Sequence, residues 1–128
     1  MSKLSKKEID RRIKFFTDAV YRYQRLLGFM EVNISVLSQI KSSARASWYS
    51  EPTGALISIC YSGSFIHDLK TTDDDIDITA FHEVYESQFY ELDALLSTKY
   101  DSDYVAGMMH RIVRKAENTI YPLMRNQK

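Results

Sequence analysis

The sequence predicts a single α+β domain spanning residues 1–128: an N-terminal helix, a three-stranded and mainly antiparallel sheet with a hairpin, then two packed C-terminal helices. Three observations carry this expectation. Apolar residues recur at helical spacing from Ile9 to Leu27, at a period of two between Met30 and Tyr61, and at helical spacing again from Ile78 onward.

Each element has its own signal. Ser5-Lys6-Lys7-Glu8 has the form of a capping box and opens the first helix. Ile9, Ile13, Phe16, Val20, Tyr23 and Leu27 form its apolar stripe, and Gly28 supplies a stop. Met30, Val32, Ile34 and Val36 then alternate with Glu31, Asn33 and Ser35, as a half-buried strand requires. Ala44, Ala46 and Trp48 alternate with Arg45, Ser47 and Tyr49 in a second strand. Glu51-Pro52-Thr53-Gly54 provides the turn into a third, Ala55 to Tyr61, with Ile57 and Ile59 on one face and Ser58 and Cys60 on the other.

Ser62 to Thr71 is a connecting segment. Thr72 or Asp73 caps the second long helix, and three aspartates crowd its first turn, where the helix dipole favours negative charge. Ile78, Phe81, Tyr85, Phe89, Leu92 and Leu96 form its stripe. A loop over Tyr100 to Ser102 leads to the last helix, with core positions Val105, Met109, Ile112, Ala116 and Ile120.

Composition narrows the function classes. Seventeen basic residues offset seventeen acidic ones, so no global field points to nucleic acid or to an anionic membrane. Lys3, Lys6, Lys7, Arg11, Arg12 and Lys14 are locally basic, but they fall on the polar side of the first helix and read as a solvated face. Cys60 is the only cysteine, which excludes an internal disulfide and a cysteine-based zinc site and fits a reducing compartment. With no apolar run of signal-peptide or membrane-spanning character, the expected location is the cytoplasm.

The chemistry concentrates in Phe81-His82-Glu83-Val84-Tyr85-Glu86 and in His110 on the last helix. His82 and Glu86, four residues apart, share one helix face, the spacing at which two side chains hold one metal ion. Both sit at the shoulder of their apolar stripe, and His110 flanks the stripe of the next helix. Packing the two stripes together brings the three toward one point. Two nitrogens and one oxygen with a fourth position open describe a catalytic zinc site, and Glu83 is placed to take a proton from zinc-activated water. Glu117, two turns after His110, reads as a partner that supports a ligand or as the ion-pair mate of Arg114. The bland alternative is a chance pattern on a charged helix, with each histidine a hydrogen-bonded core residue.

Two further signals are weaker. Asp73, Asp75 and Asp77 begin like an EF-hand loop, but Ile78 stands where glycine is required and Val84 where the bidentate glutamate belongs, so capping explains them better. Nothing in the spacing recruits His67, and the nine tyrosines lack the interleaved basic residues of a base-stacking platform.

The element order, with Ala80-Phe81-His82-Glu83-Val84-Tyr85-Glu86 on a helix that follows a hairpin, resembles the minimal zincin domains of phage and bacterial metallopeptidases, reduced relatives of the gluzincins and SprT-like proteases. The resemblance runs from Lys6-Lys7-Glu8-Ile9 to Arg111-Ile112-Val113-Arg114-Lys115-Ala116-Glu117-Asn118. It implies one zinc ion, or another divalent ion, on His82, Glu86 and His110, with Glu83 as general base. It further implies that the third strand, at Ile57, Ser58 and Ile59, is the edge along which an extended peptide is added. The sequence departs from the family at Glu86, which stands where a second histidine is usual. The expected function is metallopeptidase-like hydrolysis of a peptide amide. The alternative is an inactive zincin scaffold that binds another protein, such as a host factor targeted by a phage. A nucleic-acid partner on the basic first helix ranks third.

Overall fold

The computed structural model describes residues 3–39, 44–51 and 56–128. Ser5 Oγ accepts from Glu8 N at 3.1 Å and opens α1 (Lys6–Leu26). The reciprocal half of the box is not made, because the Glu8 carboxylate turns to Arg11 and Arg12. The helix stops at Gly28, whose φ of 72° lies in the left-handed region that side chains disfavour. The solvated-face reading of the basic cluster fails at Arg12, which is buried and donates from Nη1 to Ile66 O and Asp68 O, both at 2.8 Å. A guanidinium tethering two carbonyls holds the connecting segment against α1.

β1 (Asn33–Gln39), β2 (Ala46–Ser50) and β3 (Leu56–Ser62) form a sheet in the order β1-β3-β2. β2 pairs with β3 antiparallel, as the hairpin signal predicts, but β1 pairs with β3 in parallel, so the sheet is mixed. Alternation marks a strand without revealing the direction of its neighbour. Met30 lies outside β1 and is exposed, while residues 52–55 of the expected turn lie outside the described residues. The order corrects a second expectation. β3 is the central strand, not an edge: Ile57, Ser58 and Ile59 have partners on both sides, and both isoleucines are fully buried. The edge strands are β1 and β2.

The connecting segment contains a helical turn, α2 (Gly63–Ile66), with the exposed His67 as its C-cap. Thr72 caps α3 (Asp73–Ser87) with a complete capping box: Asp75 N donates to Thr72 Oγ1 and Thr72 N donates to Asp75 Oδ2. The second helix does not continue to Leu96. It ends at Gln88, and a separate α4 (Tyr90–Ser97) begins after Phe89. α4 buries none of its residues, so Leu92 and Leu95 stay exposed and no core rewards extension of the straight helix. α5 (Ser102–Thr119) and the short α6 (Tyr121–Met124) complete the chain.

One face of the sheet meets the helices. Ile34, Ile57, Ile59 and Ala46 pack with Phe16, Val20 and Tyr23 of α1 and with Ile76, Ala80, Phe81 and Val84 of α3. α3 is thus enclosed by α1, the sheet and α5, and even its polar Asp77, Thr79, Glu83 and Ser87 are buried. Its inner face centres on Ile76, Ala80 and Val84 rather than on the predicted Ile78–Tyr85 row. α5 buries Val105, Met109, Val113 and Ala116, with Ile112 and Ile120 only partly covered. Among the described residues, no helix is long and apolar enough to cross a membrane.

Candidate metal centre

The capped start of α3 places His82 and Glu86 two and three turns into a rigid helix, on the side that looks past β2 toward α5. α5 presents His110 to the same point. The structure therefore brings together the three residues whose sequence positions flank the apolar stripes.

The distances are those of a ligand set. His82 Nε2 and His110 Nδ1 each lie 3.5 Å from Glu86 Oε2, and the three ligand atoms fall within 4.8 Å of one another. Two atoms bonded to one zinc at about 2.1 Å and a tetrahedral angle stand about 3.4 Å apart. Only the approach between the two imidazoles has to tighten.

Hydrogen bonds orient two of the three candidate ligands, His82 and Glu86. His82 Nδ1 donates to Glu117 Oε1 at 2.6 Å, which turns Nε2 toward the centre. Glu117 thus supports a candidate ligand. Among the described residues it makes no ion pair with Arg114, which lines an adjoining cavity instead. Trp48 Nε1 donates to Glu86 Oε1 at 2.9 Å, a contact from the edge strand that the sequence did not announce. Glu86 Oε2 is buried and has no hydrogen-bond partner. A buried carboxylate oxygen without a donor costs free energy, and it is aimed at two imidazole nitrogens. The chemistry of the donor set and this orphaned oxygen both fit a divalent cation.

Glu83 lies deeper. It is only 6% exposed and forms the floor of a cavity of about 250 Å³ lined also by Ala44, Arg45, Ala46, Ile78, Thr79, His82, His110 and Glu117. Burial, opposed by His82 and reinforced by Glu86, raises its carboxyl to about 7. His82 rises to about 9: its burial works against the charged ring, but the Glu86 and Glu117 carboxylates prevail. Glu86 stays low because His82 and Trp48 outweigh its desolvation. In the metal-free chain a proton on His82 does part of the work that an ion would do.

β2 runs along the mouth. Ser62 N donates to Arg45 O and Glu51 N to Leu56 O, so the odd-numbered residues of β2 exchange bonds with β3. The backbone groups of Ala46, Trp48 and Ser50 consequently point away from the sheet. One cavity adjoins the Ala46 end of β2, and another of about 430 Å³, lined by Trp48, Tyr49, Ser50, Glu86, Asp93, Ala106, Met109 and His110, adjoins the Ser50 end. The cluster sits between them, in a groove walled by β2 and α5.

Comparison with family models, curated proteins and solved structures finds no match.

The three EF-hand-like aspartates do not converge. Asp75 caps α3, Asp73 pairs with Arg11, and Asp77 is buried among tyrosines.

Proposed function

We propose that the chain is a zinc-dependent, metallopeptidase-like hydrolase in which His82, Glu86 and His110 hold the ion and Glu83 is the general base. The orphaned Glu86 Oε2, flanked at 3.5 Å by two imidazole nitrogens, carries this reading. A divalent ion held there supplies Lewis acidity toward water and toward an amide carbonyl.

The remaining work falls to the chain. Glu83, buried at the cavity wall with its carboxyl near neutrality, accepts a proton from the attacking water at Oε and returns it to the leaving amine nitrogen. Glu117 holds the His82 tautomer, and Trp48 holds the Glu86 rotamer. The outward backbone groups of Ala46, Trp48 and Ser50 offer an extended peptide the hydrogen bonds of an added strand. That role belongs to β2, in place of the β3 residues Ile57, Ser58 and Ile59.

The test is hydrolysis of a mixed peptide library by zinc-loaded protein. Glu83→Gln should retain zinc and lose the rate by about 10²–10⁴-fold. Equal rates for wild type and variant would remove Glu83 from the mechanism.

A second reading is favoured by Glu86 itself. A carboxylate ligand donates more charge than imidazole and weakens the Lewis acid, which suits a scaffold that binds a protein partner without cleaving it. Glu86→His separates the two: a rise in hydrolysis supports a weakened enzyme, whereas unchanged inactivity with intact zinc binding supports the scaffold.

A further inference from the structure

We infer that the substrate is a peptide with a free C-terminal carboxylate, bound by the Arg114 guanidinium, so that cleavage falls next to the C-terminus. The inference rests on the hydrolase reading and adds the substrate class.

Arg114 follows His110 by one turn of α5 and lines a cavity of about 440 Å³ with His82, His110, Glu117 and Asn118. Several other arginines are engaged: Arg11 with Glu8 and Asp73, Arg22 with Asp77, Arg45 with Asp75, Arg125 with Asp74, and Arg12 with backbone carbonyls; Arg114 is the one without an ion pair that lines a cavity with the candidate ligands. Arg114 is exposed, and no carboxylate among the described residues lies within ion-pair distance of it. Its nearest acidic neighbour in sequence on that face, Glu117, spends Oε1 on His82.

A divalent ion offsets two of the three carboxylates at the centre, Glu83, Glu86 and Glu117, with both histidines neutral as ligands. Arg114 adds a positive charge beside the reacting centre that no carboxylate among the described residues pairs. Its planar fork matches a carboxylate with two parallel hydrogen bonds.

Chain polarity points the same way. The Arg114 cavity shares His82, His110 and Glu117 with the cavity at the Ala46 end of β2. A peptide antiparallel to β2 enters at Ser50 and presents its C-terminus at Ala46, within the reach of the arginine. A parallel peptide would bring its N-terminal ammonium there and be repelled. The terminal side chain falls in the 250 Å³ cavity, whose small Ala44, Ala46 and Thr79 beside Ile78, Arg45 and Glu83 favour a side chain of modest size. Hydrolysis is balanced by water alone: hydroxyl joins the acyl carbon, and the proton joins the released amino acid.

The test compares an N-acetylated tripeptide ending in alanine with its C-terminal amide, using zinc-loaded full-length protein. Hydrolysis and calorimetric binding are read separately. The free acid should be preferred by tenfold or more, the scale expected of one charged hydrogen-bonded pair. Arg114→Gln should erase most of that preference through KM, and Arg114→Lys should restore part of it. Acid and amide that bind and react alike, with no effect of Arg114→Gln on their ratio, would overturn the inference while leaving the hydrolase intact. If neither is cleaved, the hydrolase reading falls, and an Arg114-dependent preference in binding still decides the carboxylate site.

Discussion

Two carboxylates on α3, the buried Asp77 and the half-buried Glu86, show how one helix serves two purposes. Asp77 is saturated. Its Oδ1 accepts from Arg22 Nη2 at 2.5 Å, and its Oδ2 accepts from Tyr23 Oη at 2.5 Å and Tyr121 Oη at 2.7 Å. Burial first and the Asp77 carboxylate second drive both phenols upward, so their protons stay on. The knot ties α1, α3 and α6 together, and Arg22 Nε is its only buried polar atom left unpartnered. Glu86, nine residues later, is half satisfied: Trp48 holds Oε1, and Oε2 faces two imidazoles with no donor bonded to it. A closed network secures the fold, whereas an open one carries a local cost that a bound ion can relieve.

The contrast is broken most severely at the closed end. Asp77→Ala strands a guanidinium and two phenols in the interior and should cost about 3–5 kcal/mol. On a domain of this size that lowers Tm by more than about 10 °C. A loss under about 1 kcal/mol in urea denaturation would mean that the knot is not what secures α3.

At the open end the expected change is a gain. Zinc at 100 times its Kd should stabilise the chain by about 2.7 kcal/mol, close to 10 °C in Tm. His82→Ala and His110→Ala should each abolish that gain, and His110→Ala should fold with nearly the metal-free Tm. A metal-free chain whose melting ignores zinc would leave Glu86 Oε2 without the proposed partner.

pH sharpens the comparison without mutation. In the metal-free chain His82 rises from 6.5 to about 9, and Glu83 from 4.5 to about 7. Folding therefore takes up protons. The stability from His82 is fully present below pH 6.5 and lost as pH climbs through 9, and that from Glu83 is present below 4.5 and lost through 7. Tm of the metal-free chain should fall by several degrees between pH 5 and 9. The increment due to zinc should grow across the same range, since its ligands must be deprotonated. A metal-free Tm that rises with pH would contradict both shifts.

The smallest expected effect is at the cavity floor. Glu83→Gln removes a carboxylate that is costly to ionise and should stabilise the metal-free chain by about 1–2 kcal/mol at pH 8, a sign expected only of a group kept for function. Thermal melts at pH 8 and pH 5 check it, because the gain should vanish at the lower pH.

Short-range physics made much of this legible from sequence. Ser5 and Thr72 cap the helices they were expected to cap, and the hairpin of β2 and β3 followed from alternation. The convergence of His82, Glu86 and His110 was readable because each flanks a stripe that has to be buried. What escaped depends on distant partners. Parallel pairing of β1 with β3 leaves the same alternation as antiparallel pairing, so the central position of β3 was hidden. The break at Gln88–Phe89 carries no proline or glycine and arises because nothing packs on α4. The Asp77 knot did leave a trace: an aspartate beside Ile76 on a buried helix, with Tyr23 and Tyr121 on buried faces whose hydroxyls need acceptors.

The contact between Trp48 and Glu86 has a practical consequence. Trp48 is the sole tryptophan of the chain, and its indole N–H is bonded to the candidate ligand. The tryptophan emission of the protein, selected by excitation at the red edge beyond the tyrosines, therefore originates one hydrogen bond from the centre. Loading zinc, cobalt or copper should each leave a distinct spectral imprint, with quenching expected of the paramagnetic ions. The molecule carries its own optical gauge of occupancy, readable at micromolar concentration without label or substrate.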